Sequence, residues 1–175
     1  MTVAKRTKRN DGVFDRALLG VIGRFAVYFS VFAAIILGLD RVGGWRWMLL
    51  GLTWLSTTAA HVTGAAAAQS GTQILLANRT LSIDLPCSAI FIVAVFSALV
   101  LSYPVSNADR IRGLAIGIPV ILVFNVVRIV AATQVSLSMP NAFDFFHDYL
   151  FQSGMVLVTA VVWASWLSLA RHHAR

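Results

Sequence analysis

The sequence predicts an all-α membrane protein with about four transmembrane helices, an interfacial amphipathic helix and a small extracytoplasmic β-hairpin. Three observations predict it. Hydrophobic residues make up 58% of the 175-residue chain and charged residues only 12%, against about half and a quarter in soluble domains. The apolar residues fall in long blocks without charge, among them Phe25 to Leu39, Leu85 to Ala108 and Tyr149 to Ala170; about 20 such residues cross a bilayer. The net charge of +7 is carried mostly by cations at the ends of those blocks, where they set topology. That distribution points to the lipid bilayer as partner and argues against nucleic acid.

The elements follow in order. Residues 1–16 form a basic cytoplasmic N-terminus, with Lys5, Arg6, Lys8 and Arg9 as its anchor. Residues 17–39 form the first transmembrane helix, with Arg24 able to snorkel to the near interface. This block is long for the core of a secretory signal, and Gly38-Leu39-Asp40-Arg41 makes a poor cleavage site, so a retained helix is expected. Pro86–Tyr103, Gly113–Ser136 and His147–Leu169 are the other spans. They sit in a three-helix core of residues 86–170, and residues 171–175 are a cytoplasmic tail.

Residues 40–85 require a decision. Trp45 to Ala68 is apolar enough to span, yet striped: Arg46, Thr53, Thr57, His61 and Gly64 recur at helical spacing opposite Leu49, Leu52, Leu55, Ala59 and Val62. Charge decides between the readings. If the segment lies in the interface, nine cations are inside (Lys5, Arg6, Lys8, Arg9, Arg16, Arg110, Arg112, Arg171 and Arg175) and three outside (Arg41, Arg46 and Arg79). If it spans, Arg110, Arg112, Arg171 and Arg175 change side and the bias collapses. An outer interfacial helix is therefore expected. Alternation at Ile74 and Leu76, then at Leu81 and Ile83, with Asn78 between the runs, predicts the hairpin. It delivers the chain into Leu85-Pro86-Cys87, with Pro86 suited to a helix start.

Polar residues near the spans are few, and each is expensive there. Cys87 lies 16 residues from Tyr103, and Arg128 lies 16 residues from Arg112. At the helical rise both stand about 24 Å above the inner surface, on adjacent antiparallel helices, and can meet. His147 lies 24 residues before Arg171, about 36 Å up, so a tilt or bent helix end must bring it down to the pair. Ala94, Ala98, Gly117 and Gly154 are small residues that let these helices approach.

These side chains suit acyl transfer. A thiolate is a nucleophile whose pKa a nearby cation lowers. Histidine takes the thiol proton and returns it to a leaving amine. A guanidinium stays charged and stabilises an oxyanion in a low-dielectric site, or holds a substrate carboxylate. Residue types alone leave other readings open. Cys87 also reads as a small apolar side chain, His147 as a cap or interface residue, and Arg128 as the partner of Asp84 or Asp144. His61 is an alternative base. The cysteine is single, which excludes an internal disulfide, and neither a zinc-site spacing nor a nucleotide-binding glycine loop occurs, so no metal and no cofactor are expected.

Leu85-Pro86-Cys87-Ser88-Ala89-Ile90, Phe124-Asn125-Val126-Val127-Arg128-Ile129 and Phe145-Phe146-His147-Asp148-Tyr149-Leu150 resemble, in order and placement, the exosortase/archaeosortase family. That family has a Cys at an outward helix start, Asn-x-x-Arg on the next helix and a His before the last. The similarity covers about Gly71 to Leu169 and looks closest to the short exosortases. It implies a multi-pass protein of the bacterial or archaeal cell membrane with an extracytoplasmic active site. Its activity would be that of a cysteine peptidase or transpeptidase acting on membrane-anchored proteins that carry a C-terminal sorting signal. Cys87 would be the nucleophile, His147 the acid and base, and Arg128 the oxyanion donor, with Asn125 as helper. The family usually has Gly two residues after the Cys; Ala89 stands there and would narrow the site or mark a divergent subfamily. Non-catalytic alternatives are an assembly or scaffold protein for exported polymers, and a small solute or anion carrier using Arg128.

Overall fold

The first helix, α1 (Val3–Arg41), is continuous, and its stretch Leu18–Arg41 is long and apolar enough to cross a membrane. A computed structural model describes the backbone of residues 3–173 and the side chains of residue 16 and residues 18–171. The basic side chains at Lys5, Arg6, Lys8 and Arg9 lie outside the described residues, as does Arg175. Over residues 18–41 most of α1 faces outward; there Phe32 and Ile36 pack against Leu85, Ile90, Phe91 and Ala94. The turn after it is closed by the Trp45 indole, whose Nε1 donates to the Ile36 carbonyl at 2.9 Å.

Helix α2 (Arg46–Val62) turns its hydroxyl stripe inward: Thr53, Ser56, Thr57 and Ala60 are buried, while Trp47, Trp54, Leu55 and Val62 are exposed. This is the inverse of a helix on a water-soluble protein and suits one whose outer surroundings are apolar. The helix ends earlier than the stripe suggests. Gly64, at φ +84, takes the left-handed conformation, and the amide of Ala65 closes onto the Ala60 carbonyl at 3.0 Å. The expected continuation to Ala68 is therefore corrected. Residues Ala67–Ser70 form a strand instead.

The expected hairpin is accordingly a three-stranded antiparallel sheet, β1 (Ala67–Ser70), β2 (Gln73–Leu76) and β3 (Thr80–Ser82), in the order β1-β2-β3. Register places Ala67 opposite Leu76 and Ile74 opposite Leu81. Ala67, Ile74 and Ile83 bury one face of the sheet against Ile129 and Leu52. Asn78, in the β2–β3 turn, donates to the Ser136 carbonyl at 2.7 Å, and Gln134 donates to the Thr63 hydroxyl at 2.6 Å. Both bonds tie the small sheet and α2 to the last turns of α4.

Three apolar helices complete the chain: α3 (Ile90–Ser102), α4 (Asn107–Ser138) and α6 (Phe151–His173). Helix α3 has 13 residues, fewer than the 18-residue span expected, because Leu85–Ser88 forms a 3₁₀ turn ahead of it. Phe96, Val100, Ile121, Met155, Trp166 and Leu167 form the core among the three. Gly117 is indispensable to that packing, since a Cβ there would overlap the Phe96 ring; at Gly113 it would overlap Trp166. Ser106 caps α4, its hydroxyl accepting from the Asp109 amide at 3.1 Å and donating to the Asp109 carboxylate at 2.6 Å. The last span is not one uniform helix. A 3₁₀ turn (Pro140–Ala142), the short α5 (Phe143–Phe145) and a π-helical turn (Phe146–Leu150) precede α6. The protein is thus mostly helical and multi-pass, with, among the described residues, three helices of membrane-crossing length, one shorter apolar helix and a small sheet.

Candidate active site

Cys87 is presented by a turn rather than by a helix. After β3 the chain enters Leu85–Ser88, where the Cys87 amide closes onto the Asp84 carbonyl at 2.9 Å and Ser88 Oγ donates to the Leu85 carbonyl at 2.6 Å. Ala89 then adopts φ +60 and α3 begins. This left-handed residue reorients the chain, so that the Cys87 side chain stays outside the helix and half-buried. From α4, buried Asn125 donates its amide to the Cys87 carbonyl at 3.0 Å. Asn125 thus fixes the backbone of the turn. It is absent from the cavity wall.

Arg128, one turn along α4, does line the cavity. The space is about 420 Å³ and is walled by Arg79, Thr80, Leu81, Ser82, Ile83 and Asp84 on the sheet side. Cys87, Arg128, Ile129, Ala132, Phe143 and His147 complete it. The three residues singled out in the sequence are therefore brought to one cavity. His61 is exposed on α2 and is not part of it. Ala89 is buried in the helix core at 4% exposure, away from the cavity, so its methyl does not narrow this space.

Electrostatically the site centres on Arg128. The residue is only 8% exposed, yet among the described residues it has no hydrogen bond or ion pair. The two carboxylates the sequence offered as its partners make other contacts: Asp84 accepts from Ser82 Oγ at 3.0 Å, and Asp144 lies 4.0 Å from Arg79. A buried cation without a partner is costly, and here its charge bears on the space beside the thiol. Cys87 precedes α3 and lies outside the spanning helices. Its pKa is held below the ordinary thiol value, chiefly by hydrogen bonding to the His147 imidazole. Burial opposes this, and the charge of Arg128 and the backbone of Asp84 reinforce it.

His147 occupies the π-helical turn, a local widening that often marks functional sites. Two contacts orient it. Nδ1 lies 3.0 Å from an Asp148 carboxylate oxygen, and the ring stacks on Phe143 at 5.4 Å between centroids and 19° between planes. The Arg79 guanidinium covers Phe143, 4.4 Å from its ring centre. Sequence reasoning passed over these supports. A carboxylate directly after the histidine was a visible signal for Asp148, whereas nothing local in the sequence pairs Arg79 with Phe143.

The arrangement gathers a thiol of lowered pKa, an imidazole with an adjacent carboxylate and an unneutralised guanidinium on one side of a cavity. A smaller cavity of about 280 Å³, between the first half of α4 and α6, is walled by Gly113, Gly117, Val162 and Trp166 and contains no thiol or imidazole. Neither a curated protein nor a solved structure matches the chain. The family model described as Transmembrane exosortase (Exosortase_EpsH) matches residues 13–168, which include α3, α4, the sheet, the cavity and most of α1 and α6. The chain belongs to the exosortase/archaeosortase family of multi-pass cell-membrane proteins.

Proposed function

We propose that the protein is a cysteine peptidase or transpeptidase that cleaves membrane-anchored substrates at a C-terminal sorting signal, on the extracytoplasmic side. The observation that carries this reading is the meeting of Cys87 and His147 with a buried, unpaired Arg128 at one cavity. His147, oriented by Asp148, takes the Cys87 proton. The thiolate adds to the scissile carbonyl, and the oxyanion that forms is held by Arg128, where such stabilisation is large. Collapse of the tetrahedral species expels the amine, which receives the proton from His147. The resulting thioester passes its acyl group to water or to an amine acceptor. Asn125 serves this chemistry by position, through the backbone of Cys87.

The test is labelling of Cys87 with a membrane-impermeant maleimide on right-side-out vesicles over a range of pH. The thiolate reacts, so a lowered pKa extends labelling to lower pH than for a free thiol. His147→Ala removes the largest lowering influence and moves the midpoint up; Arg128→Gln moves it up by less. Labelling only from the inner face would overturn the orientation. Identical profiles in all three proteins would overturn the coupled site. A scaffold for exported polymers would keep its activity in Cys87→Ser, whereas the proposed enzyme loses all product by mass spectrometry of the processed substrate.

A further inference from the structure

We infer that the substrate segment carrying the scissile bond binds as an extended strand, pairing its backbone with the free edge of β3 beside Cys87. The inference rests on the acyl-transfer reading above and adds how the cavity recognises a polypeptide.

The sheet order leaves β3 with one unpaired edge, and the register says which groups lie on it. The Ile83 amide donates to Thr72 at 2.8 Å and the Leu76 amide donates to Arg79 at 2.9 Å, while Ile74 stands opposite Leu81 between them. Those are the hydrogen-bonded pairs of an antiparallel ladder, so residues 79, 81 and 83 turn their backbone groups toward β2. Thr80 and Ser82 turn theirs the other way. Both are exposed and both line the cavity that contains Cys87. The side chains of Leu81 and Ile83 meanwhile pack into the cluster under the sheet, which Cys87 also touches.

Open edges are ordinarily blunted by charge, by proline or by a covering element. Thr80-Leu81-Ser82 contains neither charge nor proline, and the neighbouring Arg79 is drawn away over Phe143. The edge offers two sets of N–H and C=O groups about 7 Å apart, the repeat of alternate residues in a strand. The chemical match is the backbone of another extended chain, which carries donors and acceptors at that repeat. A helix has spent those groups internally, and a small solute does not reach both sets. Cys87 follows Ser82 by five residues on the same chain, so a strand laid on this edge passes the thiol.

Cys87 is the sole cysteine, which permits an equilibrium test independent of peptide cleavage. The probe is a blocked heptapeptide of alanine and threonine with one central cysteine, activated as a pyridyl disulfide. The Cys87 thiolate attacks the peptide sulfur, the pyridyl thiolate leaves, and the mixed disulfide equilibrates against β-mercaptoethanol. The tethered fraction is read by mass spectrometry while single backbone amides of the peptide are N-methylated in turn. Methylation at alternate amides should lower tethering about tenfold, the worth of one or two backbone hydrogen bonds, and the intervening positions should leave it within about twofold. Thr80→Pro removes an outward amide without touching the β2 ladder and should lower tethering similarly; if that variant does not fold, the methylation scan on the wild-type protein decides. Normal tethering with no alternation overturns strand pairing and leaves the acyl-transfer reading standing. Failure of Cys87 to exchange with any peptide overturns both.

Discussion

The two ends of the α3–α4–α6 bundle treat their arginines differently. Near the start of α4, Arg112 lies 3.5 Å from Asp109, and Arg110 donates to Asn107 and to the Tyr103 carbonyl, both at 3.1 Å. Arg171 donates to the Tyr103 hydroxyl at 2.6 Å. The Trp166 indole donates to the Asp109 carbonyl at 2.8 Å. Toward the other end of α4, Arg128 is far more buried than Arg112, 8% exposed against a side chain 63% exposed, yet it has neither hydrogen bond nor ion pair among the described residues. Cations held by such bonds anchor and orient a helix end. A buried one without a partner costs stability, and that cost is explained if a substrate oxygen completes it. The difference sets Arg128 apart from the arginines at the other end of the bundle and supports the role proposed for it.

The largest expected effect breaks or sharpens that contrast directly. Arg128→Gln should lower kcat/KM for substrate processing about 10²–10³-fold, the loss typical of one oxyanion donor, while Arg112→Gln stays within about twofold, since Arg112 is exposed and does not line the cavity that contains Cys87. Stability should move the opposite way. Arg128→Met removes an uncompensated charge and should raise the unfolding free energy in a detergent titration by about 1–3 kcal/mol. A marked loss of stability would mean that Arg128 is held by a structural partner, and the contrast would fail.

A second contrast lies between two glycines. Gly117→Ala drives a methyl into Phe96 at the centre of the core and should cost about 1–3 kcal/mol, as overpacking does. Gly154→Ala places its methyl 3.8 Å from Phe124, an ordinary contact; with the gain in helix propensity of up to about 1 kcal/mol it should be neutral or stabilising. Equal losses in the same titration would show that both interfaces are equally tight. That would restore the sequence-based expectation that Gly154, too, permits close approach.

What the sequence disclosed follows from the cost of polarity in apolar surroundings. Cys87, Arg128 and His147 stand out because little else in those blocks is polar, and counting residues along each helix placed the first two at one depth. The geometry that finishes the site was hidden for definite reasons. β1 is Ala-Ala-Gln-Ser, with no β-branched or aromatic residue, and is a strand only because β2 pairs with it. The π-helical turn around His147 leaves no trace in residue spacing, though it belongs to the bent helix end that the depth count required. The family resemblance implied that Asn125, one turn from Arg128, would help at the oxyanion. Its contact with the Cys87 carbonyl depends on how the turn before α3 folds back.

The smallest expected effect concerns the residue that departs from the family's usual glycine. Ala89 sits at φ +60, where an L-residue pays about 1–2 kcal/mol. Ala89→Gly relieves that strain. It also removes a methyl that is 4% exposed within the helix core, a loss of about 1 kcal/mol by comparison with other single-methyl deletions, and it adds about 0.5–1 kcal/mol of chain entropy to be overcome. These contributions nearly cancel, so the unfolding free energy should change by less than about 1 kcal/mol in either direction. Because the methyl points into the core and not into the cavity, the ranking of substrates by kcat/KM should be the same in both proteins. A variant that accepted bulkier substrates would show that residue 89 reaches the site through the Cys87 turn, and the family's glycine would then be a determinant of specificity as well as of backbone conformation.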